Sequence, residues 1–462
     1  MFKKKELEKQ GEFWIETRRL PKLSAGGFYQ RVNEILGAIG FAEEVHRLCR
    51  PAYSQRTDGR PGIDPVVYFK MLMVGFFENL SSERAIAARC EDSLAVRAFL
   101  GYGLTEVTPE HSFFSVIRGR LPSEIYQAVF ELILKALKEC GLLKGRNVGI
   151  DSSVIEANAS LKSLVLRNTE EAYWDYVKRL AEAEGIDPND DKAVRQFDRK
   201  RPGKKLSNEQ FKNRHDADAK ISRQKGKTDL IYKPEHSVDM DSGVIIQAQL
   251  VEADRADSVA LPQRIESVQK CLERLELAQK IKAVVADSNY HSLPNVCELQ
   301  EAGLKVVIPD AYAAKRKEEL LTKAERQALR KAHQSHQSKT GRRLMRRRGQ
   351  HIERSFAHIL DCGGMRKATL RGRVNLQKRH HFAATCYNLS QLLRKKFGYG
   401  TLKMALARGW RAVFSALAGT AAFIRAILTL HTQVRSVFIL PPVFLPPSAP
   451  ANVQNAGFST AC

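Results

Sequence analysis

Two short apolar stretches, each carrying an aspartate, constrain the fold of this chain more than any other feature. In NVGIDSSVI (residues 147–155) the apolar run is interrupted by Asp151, and in KAVVADSNY (residues 282–290) it ends at Asp287. A buried carboxylate must reach solvent at a strand end or pair with a cation. Short β-branched runs are typical of interior parallel strands, whose carboxyl ends bind ligands. The two aspartates therefore predict neighbouring strands with a site at their ends.

The two carboxylates also predict a metal. Carboxylates on neighbouring strands repel each other unless a divalent cation lies between them. Carboxylate oxygens are hard ligands, which Mg²⁺ prefers. The sequence therefore predicts a Mg²⁺ site in a mixed sheet, and Mn²⁺ is expected to substitute for Mg²⁺.

The charge of the chain predicts a polyanionic partner. Its 462 residues have a formal net charge of +24. Such an excess of Lys and Arg attracts nucleic acid, although a ribosome-associated or membrane-surface protein stays open on charge alone. The eight cysteines form no CxxC pair, which predicts reduced thiols and neither a zinc site nor a disulfide framework.

The sequence predicts no membrane partner. The opening MFKKKELEKQGEFW is charged and has no apolar core of the kind a signal peptide requires. Arg425 interrupts the apolar stretch 412–430 before it reaches roughly 18 residues, so we expect a packed helix there. The expected location is cytoplasmic and nucleoid-associated.

The N-terminal part, residues 1–142, predicts an all-helical domain. Asp64 and Pro65 have the chemistry of a helix start, and Ser82 can cap the next helix. A long amphipathic helix is expected over residues 123–140. Two helices joined by a polar turn satisfy a helix-turn-helix motif and equally any helical bundle, so DNA reading stays open on this pattern.

Residues 143–400 predict a mixed-sheet domain. After the Asp151 strand, Asp241–Gly243 has the chemistry of a hairpin turn between two antiparallel strands. Helices then alternate with the Asp287 strand and a last strand at residues 305–309. The order of strand, hairpin, helix, strand, helix and strand is the ribonuclease H-like layout, an antiparallel trio joined to parallel strands.

The fold class predicted for the whole chain is α+β. Helical insertions are expected at about residues 160–228 and 310–345, because both stretches are rich in charge. Residues 401–462 are expected to form a C-terminal helix and a disordered tail.

A third acid is expected from the last helix of the core. Glu353 lies in HIERSFAHILDC, beside an apolar stripe and directly after the basic segment 315–348. A helical glutamate is usually only solvated. In a ribonuclease H-like layout, however, this helix is expected to bring a further carboxylate back to the strand ends.

Several motifs together resemble a known family. They are GIDSSVIEAN around Asp151, VVADSNY around Asp287, HIERSFAHI around Glu353, and the upstream segments PGIDPVVYFKMLMVGFFENLSSERAI and TPEHSFFSVIRGRL. Over roughly residues 50–395 the chain is similar to the DDE transposases of bacterial insertion sequences, which combine a helical N-terminal DNA-binding domain with a ribonuclease H-like core.

The resemblance implies a function and its residues. Asp151, Asp287 and Glu353 would be the catalytic acids and would hold two Mg²⁺ ions, one for the attacking oxygen and one for the leaving oxygen. The enzyme would bind the terminal inverted repeats of its element, cleave the DNA and join the ends to target DNA. A homodimer would hold the paired ends.

The chain departs from the family around the third acid. Related transposases often carry Arg four residues before it and Lys seven after it, where this chain has Gly349 and Leu360. The residues expected to contact DNA are Arg84, Arg346, Arg347, Arg348, Arg354 and Lys367.

Two other functions stay open at this point. A ribonuclease H-like nuclease without strand transfer would use the same acids. A catalytically dead, transposon-derived DNA-binding protein would keep the charge and lose the chemistry.

Overall fold

The computed structural model describes residues 24–53, 62–224, 226–277, 279–316 and 318–408. The apolar stretch 412–430 and the C-terminal tail lie outside these ranges. No helix within them is long and apolar enough to cross a membrane. The seven cysteines within them are free thiols.

The N-terminal part is helical, as predicted. Its helices are α1 (Ser24–Ala38), α2 (Phe41–Cys49), α3 (Pro65–Phe77), α4 (Glu83–Asp92), α5 (Leu94–Leu100), α6 (Ser112–Arg120) and α7 (Ser123–Glu139). The expected caps are present, because Asp64 accepts a hydrogen bond from Val66 N and Ser82 accepts one from Ala85 N.

The core sheet is mixed, as predicted. The strands are β1 (Asn147–Ser152), β2 (Ile155–Glu156), β3 (Leu164–Leu166), β4 (Phe211–Asn213), β5 (Lys220–Gln224), β6 (Lys227–Asp239), β7 (Ile245–Val251), β8 (Ala283–Val285) and β9 (Lys305–Val307). Strands β7, β6 and β1 are antiparallel, and β1, β8 and β9 run parallel. β2 and β5 extend β6, whereas β3 and β4 form a separate pair.

The β6–β7 hairpin turns where the sequence predicted. Gly243 has a φ of +83°, a backbone conformation that glycine adopts readily. The side chain of Asp239 accepts hydrogen bonds from the backbone N–H groups of Asp241, Lys144 and Gly145. This carboxylate therefore fastens the hairpin to the loop that enters β1.

The remaining helices surround the sheet. They are α8 (Tyr173–Ala183), α9 (Asp191–Lys200), α10 (Leu261–Arg274), α11 (Leu293–Glu301), α12 (Lys323–Gln337), α13 (Lys339–Arg348), α14 (Arg354–Phe356) and α15 (Arg373–Phe397). Two π-helical segments flank α14, at Gly349–Glu353 and Ala357–Cys362.

The insertion at residues 160–228 is helical only in part. It contains α8 and α9, but also β3, β4 and β5. Its charged composition favoured helices, and three-residue strands such as β3 and β4 are too short to show an alternating pattern. The insertion at residues 310–345 contains α12 and most of α13.

Helix α15 joins the helical domain to the sheet. It packs against α7 and α3 on one side and against β7 on the other. The rings of Phe69 in α3 and Phe382 in α15 stack with centroids 5.1 Å apart. The two parts of the chain therefore share one apolar core.

We predict that Gly149→Ala destabilises the fold. A Cβ at Gly149 in β1 would lie 2.5 Å from Met240 Cε and 3.0 Å from Ile352 Cδ1, and such overpacking typically costs about 1–3 kcal/mol. The control is Gly119→Ala in α6, where a Cβ would meet nothing within 4 Å. Chemical denaturation should show a lower free energy of unfolding for Gly149→Ala alone, and equal stability in both variants would contradict this packing.

Candidate active site

The two aspartates lie at equivalent positions near the carboxyl ends of neighbouring strands. Strands β1 and β8 are parallel neighbours in which Gly149 pairs with Val285. Asp151 and Asp287 each follow these paired residues by two positions. Parallel strands present their carboxyl ends at the same edge, so both carboxylates reach one place.

A single arginine bridges the two carboxylates. Arg348 Nη2 lies 2.7 Å from Asp151 Oδ2 and 3.8 Å from Asp287 Oδ2. The side chains of Arg348, Asp151 and Asp287 are 15%, 20% and 30% exposed. Because the group is only partly solvated, the guanidinium supplies the charge that allows two carboxylates to lie together.

The second oxygen of each aspartate is held by its own backbone. Asp151 Oδ1 accepts a hydrogen bond from Ser152 N at 2.9 Å, and Asp287 Oδ1 accepts one from Asn289 N at 3.0 Å. Each carboxylate therefore has one anchored oxygen and one that faces the shared cation.

Burial perturbs the pKa of Asp151. Burial raises the pKa of Asp151 to about 6; Arg348 opposes this increase and the charge of Asp287 adds to it. An acid with a raised pKa beside a specific charge partner is typical of functional sites.

Glu353 lies at the end of the π-helical segment. Its side chain is exposed and, within the described residues, it forms no hydrogen bond or ion pair. Its Oε1 lies 3.5 Å from the position that a Cβ on Gly349 would occupy, so the carboxylate folds back along the helix towards Gly349. The preceding residue, Ile352, packs over Gly149 in β1.

The structure thus brings together two of the three predicted acids, Asp151 and Asp287, around the guanidinium of Arg348. Across the ranges that the structure describes, no group of three or more His, Cys, Asp or Glu side chains is arranged to hold a metal ion. Glu353 lies one π-helical turn from Arg348. Its part in a metal site stays a prediction.

The π-helical segment bears on the departure seen in the sequence. Arg348 precedes Glu353 by five residues, whereas the family pattern has four. A π-helix pairs residue i with residue i+5, so Arg348 and Glu353 lie on the same side of this helix. Sequence periodicity gives no sign of such a one-residue expansion.

The arginines and lysine predicted to contact DNA divide into two groups. Arg84, Arg346, Arg354 and Lys367 are exposed, although Lys367 also lies 3.1 Å from Glu156.

The other two predicted DNA contacts face carboxylates. Arg347 pairs with Asp241 at 2.7 Å, and Arg348 lies between the two aspartates. The sequence showed three consecutive arginines as one basic run; helical geometry directs them to different partners.

A polar network beneath the acids was not predicted. Ser152 Oγ donates to Asp257 Oδ1 at 2.7 Å, and Lys233 pairs with the same carboxylate at 2.7 Å. Nearby, Glu235 accepts from Arg264 at 2.6 Å and from Tyr290 Oη at 3.1 Å.

This network holds the residues that adjoin the acids. Ser152 follows Asp151 directly, and Tyr290 lies three residues after Asp287. Burial raises the pKa of Glu235 to about 7, and Arg264 opposes that increase. The only signal in the sequence was a carboxylate inside an otherwise strand-like stretch.

Comparison with known proteins agrees with this architecture. The model of a transposase domain family (DUF772) matches residues 18–120, and the model of the transposase DDE domain matches residues 189–389. The second match begins after β1, so Asp151 lies outside it and Asp287 and Glu353 lie inside. Together the two matches cover about two thirds of the chain.

One solved structure was also similar. It is the Mos1 transposase paired-end complex with left transposon end, at 12% sequence identity and a TM-score of 0.20, covering 67% of this chain and 82% of that one. No curated protein sequence matched the chain.

The chain carries a transposase domain followed by a transposase DDE domain, and it belongs to the DDE transposases. The order of a DUF772 domain and then a DDE domain is consistent with the transposase of an insertion sequence.

Proposed function

We propose that the chain binds the terminal inverted repeats of its insertion sequence, cleaves the DNA with Mg²⁺ and transfers the cut strand to target DNA. The observation that carries the proposal is that Asp151 and Asp287 lie together at the ends of two parallel strands, on either side of the Arg348 side chain. Phosphodiester cleavage in such sites depends on carboxylates held where a divalent ion can bridge them.

The residues present fit a divalent cation. Asp151 and Asp287 offer hard oxygen ligands and are partly open to solvent, and their charges already share a cationic partner. With Glu353 as a third ligand, they would hold Mg²⁺ or Mn²⁺. When bound, the ions would activate the attacking water or 3′-hydroxyl and stabilise the leaving oxygen.

The protein's own groups prepare this site. Ser152 N–H and Asn289 N–H fix one oxygen of each aspartate, and the other oxygen faces the guanidinium of Arg348, where a metal cation would bind in its place. Arg348 keeps the pair together in the absence of metal. A cation at the carboxylates would free the guanidinium to bind a phosphate of DNA.

DNA binding is supported by the charge and by its placement. The net charge of +24 draws DNA electrostatically. Helix α13 ends in Arg346, Arg347 and Arg348, of which Arg348 borders the acids and Arg346 is exposed to solvent. A phosphate backbone could therefore approach the strand ends, and a dimer is the assembly expected to hold two transposon ends.

The experiment that tests the function is cleavage of a plasmid carrying the inverted repeats that flank the gene. With Mg²⁺, we expect nicks at the repeat ends and products in which these ends are joined to a second DNA. Cleavage without joining would support a nuclease instead, and binding without cleavage would support the catalytically dead alternative.

We predict that affinity for DNA falls steeply with salt. A protein that contacts six to ten phosphates loses about 10³–10⁵ in affinity between about 50 and 200 mM salt. Arg346→Gln should reduce the slope of log K against log salt by about 1, because it removes one phosphate contact. Fluorescence anisotropy measures both effects.

The matched control for this measurement is Arg179→Gln. Arg179 is also an exposed arginine, but it lies in the insertion and pairs with Glu171. A flat salt response of the unaltered protein, or an equal change in both variants, would contradict the proposed DNA contact.

A further inference from the structure

A buried network of hydrogen-bonded polar side chains lies against the helical segment that carries Glu353. His236 in β6 is the cross-strand partner of Asp151, Ser355 follows Glu353 by two residues, and His380 belongs to α15. The three side chains of His236, Ser355 and His380 are each 0% exposed. Fully buried polar groups of this kind require hydrogen-bond partners.

The hydrogen bonds of this network all run in one direction, from His380 through His236 and Ser355 to the carbonyl of Ile352. Ser355 Oγ lies 2.8 Å from the carbonyl oxygen of Ile352, which can only accept, so the hydroxyl donates to it. Ser355 Oγ also lies 2.8 Å from His236 Nδ1, and because its proton points to the carbonyl it accepts a hydrogen bond from this nitrogen. His236 Nε2 lies 3.1 Å from His380 Nε2.

Proton assignment follows from these contacts. Burial lowers the pKa of His236 and also that of His380, the latter to about 3, so both rings are neutral near pH 7. A neutral His236 with its proton on Nδ1 accepts at Nε2, and His380 Nε2 is then the donor. His380 Nδ1 has no partner among the described residues, as an unprotonated nitrogen in an apolar setting would.

The network holds the helix on both sides of Glu353. Its last acceptor is the carbonyl of Ile352, the residue before Glu353. After Glu353, the ring of Phe356 stacks on His236 with centroids 4.1 Å apart and planes at 10°. Ile352 also packs over Gly149. The residues on either side of Glu353 are therefore fixed to the sheet.

This anchoring coincides with the π-helical segment Gly349–Glu353. A π-helix is rare and is retained where surrounding contacts favour it. Returning this segment to α-helical geometry would rotate Glu353 relative to Arg348 by about one residue, roughly 100°. Ser355 and Phe356 could not follow that rotation without losing their contacts with His236.

We propose that His236, Ser355 and His380 are positioning residues that lock the π-helical register of this helix and thereby direct Glu353 and Arg348 towards Asp151 and Asp287. The proposal rests on the proposed function, since it concerns how the third acid reaches the metal. It assigns a role to a buried histidine pair that belongs to neither the proposed metal ligands nor the proposed DNA contacts.

The test compares Ser355→Ala with Ser390→Ala. Ser390 is a matched control because it is also buried, at 1% exposure, and its hydroxyl also donates to a carbonyl three residues earlier, that of Tyr387 at 2.6 Å. Both variants lose one buried hydroxyl, but only Ser355 belongs to the network against the Glu353 segment. A purely structural role predicts similar effects in both.

The readout is the Mg²⁺ or Mn²⁺ concentration that gives half of the metal-induced rise in melting temperature, measured without DNA. For Ser355→Ala we expect this concentration to increase about tenfold or more, as is typical when a group that orients a ligand is removed. Ser390→Ala should leave it unchanged. Equal metal responses of the two variants would overturn the proposal.

A second variant covers the case in which Ser355→Ala fails to fold. Ser355→Cys adds only a little volume and keeps a weak S–H donor, and is expected to give a smaller increase in the same concentration. An unchanged concentration in Ser355→Cys, with Ser355→Ala unfolded, would also overturn the proposal. If the unaltered protein shows no metal response at all, the proposed metal-dependent function fails instead, so the two failures are distinguishable.

Discussion

Replacing any one of the three acids by its amide is expected to abolish DNA cleavage while leaving DNA binding intact. Asp151→Asn, Asp287→Asn and Glu353→Gln each remove one negative charge from the proposed metal site and preserve the shape of the side chain. Loss of several kcal/mol of transition-state stabilisation reduces the rate by about a thousandfold or more. Plasmid cleavage in Mg²⁺ measures the rate, and a mobility shift measures binding.

The control for these variants is Asp361→Asn. Asp361 lies eight residues after Glu353, is about half exposed and pairs with Arg366. Its loss should leave cleavage unchanged. Near-normal cleavage by any one of the three amide variants would remove that residue from the site, and Glu353 is the most informative because, among the described residues, it forms no hydrogen bond or ion pair.

Replacing Arg348 by glutamine is expected to make the protein depend on a divalent cation for stability. Without Arg348, Asp151 and Asp287 would repel each other with no cation between them. Removing one partner from a buried ion pair is strongly destabilising, and with solvent screening at this partly exposed site we expect about 1–3 kcal/mol. Mg²⁺ should restore this stability, because it binds the folded protein alone.

Thermal unfolding with and without Mg²⁺ measures this effect. Arg348→Gln should melt at a lower temperature than the unaltered protein in chelator and should gain more from added Mg²⁺. Arg347→Gln is the matched control, since it removes the neighbouring arginine, which pairs with Asp241 in the hairpin. Equal gains from Mg²⁺ in both variants would show that Arg348 does not occupy the cation position.

The two kinds of variant at the acid site probe different properties. The amide substitutions test chemistry, whereas Arg348→Gln tests whether the carboxylates are held together by charge before metal arrives. The amide variants could lose DNA cleavage while Mg²⁺ fails to stabilise Arg348→Gln. In that case the residues that bind the metal would lie elsewhere in the protein.

Much of the core was predictable because local patterns carry it. The apolar runs around Asp151 and Asp287 predicted strands whose ends meet, and parallel pairing of β1 with β8 confirms that arrangement. Asp241–Gly243 predicted the hairpin, because a glycine with positive φ has a local signature. Caps at Asp64 and Ser82 were similarly local.

The insertion at residues 160–228 shows where such patterns fail. Strands β3 and β4 pair Leu164 with Asn213 across a long stretch of chain. Three residues are too few to display alternation, and the charges around them favoured helix. The pairing is decided by contacts that no short window of sequence contains.

From its sequence alone, this protein's central strands β1, β6, β7, β8 and β9, its two strand-end aspartates and its positive charge could be determined, because each depends on residues adjacent in the chain. Tertiary structure decided that Arg348 lies between the two carboxylates, that a π-helical segment places it on the side of Glu353, and that His236, Ser355 and His380 form one buried network. The contacts of Arg348 with Asp151 and of His236 with Ser355 and His380 join residues more than a hundred positions apart, and only the packing of helix on sheet brings them within hydrogen-bond distance.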